Sequence, residues 1–128
     1  MSFHMVFDAK DFLDAVSGVK KFWLHTKLNR LRIEARKDSQ RADLISINKD
    51  SGLETVVSIP ANVGEDFVIY VKTVISFYES VELLRDVNVG KGNSLLLRLS
   101  PSNENKRHFD LQVLVPHCEF TASEKPID

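Results

Sequence analysis

The sequence has little cysteine and no long hydrophobic run. Its 128 residues include one cysteine, Cys118, so no disulfide forms within the chain, and a reducing, cytoplasmic location is predicted. No run approaches the ~20 apolar residues of a membrane-spanning helix, so no membrane partner is expected. Five glycines and four prolines exclude a collagen-like chain. A hydrophobic fraction of 43% is sufficient for one globular core.

We divide the chain into one domain and two short ends. Residues 6–120 are assigned to a single domain and residues 121–128 to a polar C-terminal tail. Residues 1–5 lack a basic segment followed by an apolar one, so they are not a signal peptide. We interpret them as a cloning remnant with Met5 as the natural start, and leave them out of the fold prediction.

Charge is balanced over the whole chain but not along it. The net charge of −1 argues against a simple polycation. Between Lys20 and Arg41, however, eight basic residues outnumber two acidic ones, a local excess of six positive charges. Such a segment is typical of a phosphate-binding surface and equally typical of a solvated strand face, and both interpretations stay open.

Two segments have the spacing of amphipathic helices. Apolar residues recur over residues 12–23 at intervals of three and four, which predicts a helix with Asp8 as its N-cap. A second helix is predicted over residues 74–84, with Thr73 as its N-cap. Gly18 lies inside the first helix and costs it about 1 kcal/mol relative to alanine.

The remaining segments alternate apolar and polar residues in the manner of β-strands with one solvated face. This alternation predicts an α+β fold with two helices packed side by side on one face of a twisted, mostly antiparallel sheet. Each half of the chain contains a strand, a helix and further strands, so the halves form an approximate repeat. The predicted strands are residues 6–7, 30–36, 41–48, 53–59, 67–71, 86–89, 95–100 and 109–115.

No group of side chains has the pattern of a catalytic or metal site. Gly90-Lys91-Gly92 lacks the spacing of a nucleotide-binding loop and is interpreted as a hairpin turn. His117 and Cys118 are adjacent near the end of a predicted strand, where neighbouring side chains point to opposite faces, which disfavours a catalytic pair. We therefore predict a protein that is not an enzyme and needs no metal or cofactor.

The basic residues are the remaining signal of a binding surface. Lys10 and Lys21 share the polar face of the first predicted helix, Lys20 borders that face, and Lys72 precedes the second helix. With the helices side by side, these lysines form a cationic strip that contacts duplex phosphates without recognising base sequence. Nearby carboxylates oppose the effect, so a solvated mixed-charge face stays an alternative. These carboxylates are Asp14, Glu79 and Glu82.

Five segments also follow one another with the pattern and spacing of a known family. They are residues 11–19 (DFLDAVSGV), 28–35 (LNRLRIEA), 44–50 (LISINKD), 67–84 and 109–114 (FDLQVL). Together they resemble one domain of the bacterial DNA sliding clamp, the beta subunit of the replicative polymerase. The resemblance runs from Phe7 to Pro116, and Lys49 stands where the family has threonine.

The resemblance implies a DNA-clamp-like fold and a role as a processivity factor component without catalytic activity. Domains of this family line a ring around double-stranded DNA with their helices, join through edge strands and tether a polymerase. A ring built from single domains implies a homohexamer, with replication proteins as further partners. Carried over to this chain, the DNA-binding positions are Lys10, Lys20, Lys21 and Lys72. The alternative is a protein-interaction adaptor or decoy that has the clamp fold and does not bind DNA.

Overall fold

The computed structural model describes residues 3–24, 29–72, 74–88, 94–102, 108–114 and 123–124. Nine strands and three helical segments are found in this part of the chain. The strands are β1 (Met5–Asp8), β2 (Asn29–Arg36), β3 (Arg41–Asn48), β4 (Glu54–Pro60), β5 (Asn62–Val63), β6 (Phe67–Val71), β7 (Leu96–Pro101), β8 (Phe109–Leu114) and β9 (Ser123–Glu124). The helices are α1 (Ala9–Ser17), α2 (Lys20–Leu24) and α3 (Val74–Asn88).

The first helix begins at the predicted N-cap and ends at a glycine. Asp8 has extended backbone angles, and its carboxylate accepts a hydrogen bond of 2.8 Å from the Lys10 amide, as an N-cap residue does. The predicted single helix is interrupted at Gly18, and α2 begins at Lys20. Trp23 in α2 is nevertheless fully buried, so the apolar stripe reaches the core on both sides of the break.

The second helix is longer than the sequence pattern predicts. α3 runs to Asn88, so the strand predicted over residues 86–89 is wrong at residues 86–88. In so short a segment, the apolar pattern of a strand is the same as that of the last turn of a helix. Val87 is 73% exposed, and the Asn88 side chain donates a hydrogen bond of 2.8 Å to the Leu84 carbonyl at the helix end. Thr73, the predicted N-cap, lies outside the described residues.

The described strands form two sheets, so the prediction of a single sheet is wrong. One sheet has the order β5-β1-β7-β8-β9 and the other has the order β4-β3-β2-β6. All neighbouring strands in both sheets are antiparallel, which confirms that part of the prediction. The division was missed because pairing between strands distant in the chain leaves no local signal in the sequence.

Each half of the chain gives its first strand to the sheet of the other half. The first half has the order β1, α1–α2, β2, β3, β4, and the second has the order β6, α3, β7, β8, β9. β1 pairs with β7, which places Phe7 opposite Leu97. β6 pairs with β2, which places Ile69 opposite Ile33. The approximate repeat in the sequence is therefore a repeat of topology, and the exchanged strands join the two halves.

Both sheets and the helices share one hydrophobic cluster. The Phe77 ring of α3 lies 5.4 Å from the Phe12 ring of α1 and 5.7 Å from the Phe109 ring of β8, measured between centroids. α1 and α3 therefore pack against each other. In β2, buried Leu31 and Ile33 alternate with more exposed charged residues, as predicted for a half-buried strand. The fold belongs to the α+β class.

The two ends of the chain contain paired strand residues. Met5 is 1% exposed and lies opposite Val63 in β5 and Leu99 in β7. The fold therefore begins within the segment interpreted as a cloning remnant. At the other end, β9 lies within the predicted polar tail and pairs Ser123 with Gln112 of β8.

Candidate nucleic-acid interface

Three of the four lysines predicted to bind DNA lie on the α1–α2 segment. Lys10 is in the first turn of α1, where its Nζ lies 3.3 Å from the Asp14 carboxylate one turn later. Lys20 and Lys21 open α2, and both are exposed. Neither forms an ion pair with any described residue, so both charges are accessible to an external anion.

Lys20 is also in contact with the second helix. Its Nζ lies 5.2 Å from the centroid of the Tyr78 ring in α3, within the range of a cation–π interaction. The Tyr78 side chain is 6% exposed and part of the core. The contact holds the start of α2 against α3 while Lys20 itself stays exposed.

The fourth lysine, Lys72, has different neighbours. It follows β6, is exposed, and lines a groove of about 580 Å³ together with Arg30 and Arg32 of β2. The register explains this grouping. Leu31 of β2 lies opposite Val71 of β6, and the next residues in the same direction are Arg30 after Leu31 and Lys72 after Val71. In the sequence, the two arginines stand out only as part of the general charge excess between Lys20 and Arg41. The antiparallel pairing of β2 with β6 joins them to Lys72, and no local sequence pattern specifies that pairing.

The positive excess of residues 20–41 is partly neutralised on the outer face of the sheet. Glu34 binds two arginines, accepting hydrogen bonds from Arg32 Nε at 2.8 Å and from Arg36 Nη2 at 2.7 Å. For these arginines the structure favours the interpretation of a solvated strand face. Arg30, in contrast, forms no ion pair with a described residue.

The outer face of α3 is acidic. Glu79, Glu82 and Asp86 line a shallow depression on this helix with exposed Leu83. Arg85 is the one cation within α3. Because carboxylates repel phosphates, this face disfavours contact with DNA. Of the predicted DNA-binding lysines, three therefore lie on the α1–α2 segment and one lies at the groove around Lys72, away from this acidic face.

No metal-binding cluster is seen among the described residues. No three His, Cys, Asp or Glu side chains in this part of the chain are close enough to hold a metal ion. No helix within it is both long and apolar enough to cross a membrane. His117, Cys118 and the segment Gly90-Lys91-Gly92 lie outside the described residues, so the interpretations of them stay predictions.

Comparison with known proteins does not identify a family. The sequence matches no protein-family model and no curated protein. A relation to the sliding-clamp family therefore stays a prediction from the sequence pattern.

Proposed function

We propose that this chain is a non-enzymatic DNA-clamp-like module that assembles with further copies of itself and acts on duplex DNA. The exchanged topology is the observation that carries the proposal, because two strand–helix–strand halves share their sheets and bring α1 and α3 together. Paired helices on antiparallel sheets agree with the architecture that the sequence resemblance implies. The class of fold alone does not define a function, so the proposal also needs a surface that binds phosphate.

Lys20 and Lys21 form the main part of that surface. They are adjacent, exposed and without ion pairs to described residues, so they are able to exchange small counterions for DNA phosphates. Lys10 contributes less, because its charge is shared with Asp14 at 3.3 Å. Lys72 contributes from the groove beside Arg30. Lysine contacts of this kind are independent of base sequence.

The test is fluorescence anisotropy of a labelled DNA duplex over a range of salt concentrations. The unmodified protein binds, and its affinity falls as salt rises. The double variant Lys20→Glu/Lys21→Glu binds more weakly and loses about 0.9 from the salt slope for each phosphate contact removed. Lys49→Glu, at an exposed lysine in the turn between β3 and β4, is the control for the single variants Lys20→Glu and Lys21→Glu, which change the charge by the same amount.

Two results of this experiment argue against a role on DNA. One is the absence of duplex binding at low salt. The other is a loss of affinity in Lys49→Glu as large as that in Lys20→Glu or Lys21→Glu alone, which would show that only net charge matters. Circular dichroism of each variant checks that the domain stays folded.

A second candidate function is a protein-interaction adaptor or decoy with the clamp fold and no DNA binding. The acidic face of α3 favours it, because this face also exposes Leu83 at 62% and Val87 at 73%. An acidic and apolar surface suits a protein partner better than a nucleic acid. The adaptor captures a purified replication protein without DNA, and Leu83→Lys/Val87→Lys abolishes capture whereas Lys49→Glu does not.

A further inference from the structure

We propose that the groove beside Lys72 binds an acidic peptide that carries a hydrophobic side chain. The groove lies between β2, β3 and β6, and we call it the β2–β6 groove. It is formed by Arg30, Leu31, Arg32, Ile47, Tyr70, Val71 and Lys72. The proposal is independent of whether the α1–α2 segment binds DNA.

The β2–β6 groove has the size and the apolar surface of a ligand site. Its volume of about 580 Å³ lies within the range of sites that bind small ligands and short peptide segments. Among the described lining, the accessible apolar surface comes from exposed Tyr70 and half-buried Ile47, because Leu31 and Val71 are each only 1% exposed. Tyr70 is 51% exposed, so its ring offers apolar area to an incoming side chain. A hydrophobic anchor therefore has a surface to bury.

Cationic side chains border this apolar surface. Arg30 lies in β2 next to Leu31, and Lys72 follows Val71 at the end of β6. Since Leu31 and Val71 are paired, Arg30 and Lys72 are neighbours across the two strands. Arg30 is exposed and has no ion pair with a described residue. A free guanidinium binds a carboxylate through two parallel hydrogen bonds. The rim thus complements one or two carboxylates next to the hydrophobic anchor.

The β2–β6 groove is poorly suited to hold an extended single strand of nucleic acid, which is a different ligand from the duplex that Lys72 contacts in the proposed function. Arg32 is held by Glu34 at 2.8 Å and lies 3.9 Å from Glu54, and these carboxylates repel a continuous line of phosphates. Tyr70 is the one aromatic residue among the groove's described lining, whereas single strands bind on successive aromatic rings. A peptide with one or two carboxylates placed at Arg30 and Lys72 brings less negative charge near Glu34 and Glu54 than a line of phosphates does, and one aromatic ring is enough for one hydrophobic anchor.

The probe is a short fluorescein-labelled peptide in which glutamates flank two leucines, measured by fluorescence anisotropy with the full chain. Saturable binding is expected, with affinity weakened about tenfold or more by Arg30→Glu or Lys72→Glu. Tyr70→Ala weakens binding by reducing the apolar contact. Lys49→Glu is the control of equal charge change outside the groove, and Lys20→Glu/Lys21→Glu leaves peptide affinity unchanged.

Two further probes define what the groove recognises. A peptide with lysines in place of the glutamates does not bind, and one with serines in place of the leucines binds weakly. Absence of saturable binding overturns the proposal, as does an equal effect of Lys49→Glu and Arg30→Glu. Tighter binding of a single-stranded oligonucleotide that Arg30→Glu removes also overturns it, in favour of a nucleic-acid site. If Arg30→Glu does not fold, Lys72→Glu and Tyr70→Ala decide the outcome.

Discussion

The ring of Phe12 in α1 meets the ring of Phe77 in α3 edge to face, with the centroids 5.4 Å apart and the ring planes at 79°. Phe77 makes a second edge contact with Phe109 of β8, at 5.7 Å. The three rings connect the helix of the first half with the helix and sheet of the second. Since the halves also exchange their first strands, we expect the chain to unfold as one cooperative unit.

Replacing Phe12 with alanine tests this connection. Phe12→Ala lowers the free energy of unfolding by about 3–5 kcal/mol in urea denaturation, because it leaves a large cavity in the core. Leu83→Ala is the control on an exposed position of α3 and changes the free energy by less than about 0.5 kcal/mol. In a double-mutant cycle, Phe12→Ala and Phe77→Ala couple by about 0.5–1.5 kcal/mol. Strictly additive effects would contradict the ring contact.

Gly18 is a position where alanine stabilises the protein. Its φ of −73° is ordinary helical backbone, and an added Cβ would lie 3.9 Å from the Ala15 carbonyl oxygen, which is normal van der Waals contact. Gly18→Ala therefore raises the free energy of unfolding by about 0.4–1 kcal/mol, since it restricts the unfolded chain. Gly52→Ala has the opposite effect, because Gly52 has a φ of +74°. Thermal denaturation of both variants measures the contrast.

The side chain of Gln40 connects a turn of one sheet to a strand of the other sheet by hydrogen bonds. Gln40 lies between β2 and β3, and its side-chain amide both donates to and accepts from the backbone of Val63 in β5, at 3.0 Å each. The same amide donates to the Lys37 carbonyl at 2.7 Å. Gln40→Ala loses these hydrogen bonds, so we expect the free energy of unfolding to fall by about 1–3 kcal/mol.

The backbone of Gln40 provides a matched comparison for that prediction. Its φ of 52° is left-handed, a conformation that costs a residue with a Cβ about 1 kcal/mol. Gln40→Gly loses the same hydrogen bonds but removes this strain. Chemical denaturation is therefore expected to find Gln40→Gly more stable than Gln40→Ala. The reverse order would show that the left-handed backbone is not maintained in solution.

Substitution of Asp8 tests whether the N-cap hydrogen bond stabilises α1. Asp8→Ala removes the hydrogen bond from the Lys10 amide and lowers the free energy of unfolding by about 1 kcal/mol. Asp8→Asn keeps an acceptor at the same place and loses less. An Asp8→Ala variant as stable as the unmodified protein in urea denaturation would mean that the cap does not contribute.

Helices and strands were predictable where burial of one face gives the sequence a clear hydrophobic period. Phe12, Val16 and Trp23 of the predicted helical stripe are buried, as are Leu31 and Ile33 of the predicted strand. Gly18 was recognised as unfavourable for a helix, although not as the point where it breaks. The end of α3 was missed because exposed Val87 has the same apolar character as a strand residue.

The candidate sites were only partly predictable, because they depend on strands that meet across the chain. Lys20 and Lys21 are neighbours in sequence, so their proximity was predictable from the sequence alone. The grouping of Lys72 with Arg30 depends on the register between β2 and β6, which no local pattern specifies. The neutralisation of Arg32 by Glu34 likewise depends on rotamers that composition does not determine.

Light scattering of the purified chain, with and without a DNA duplex, tests the proposed clamp-like assembly most directly. A closed ring of single-domain subunits predicts a species with the mass of a homohexamer that associates with the duplex at low salt. A mass of one chain at every protein concentration, unchanged by the duplex, would contradict assembly around DNA.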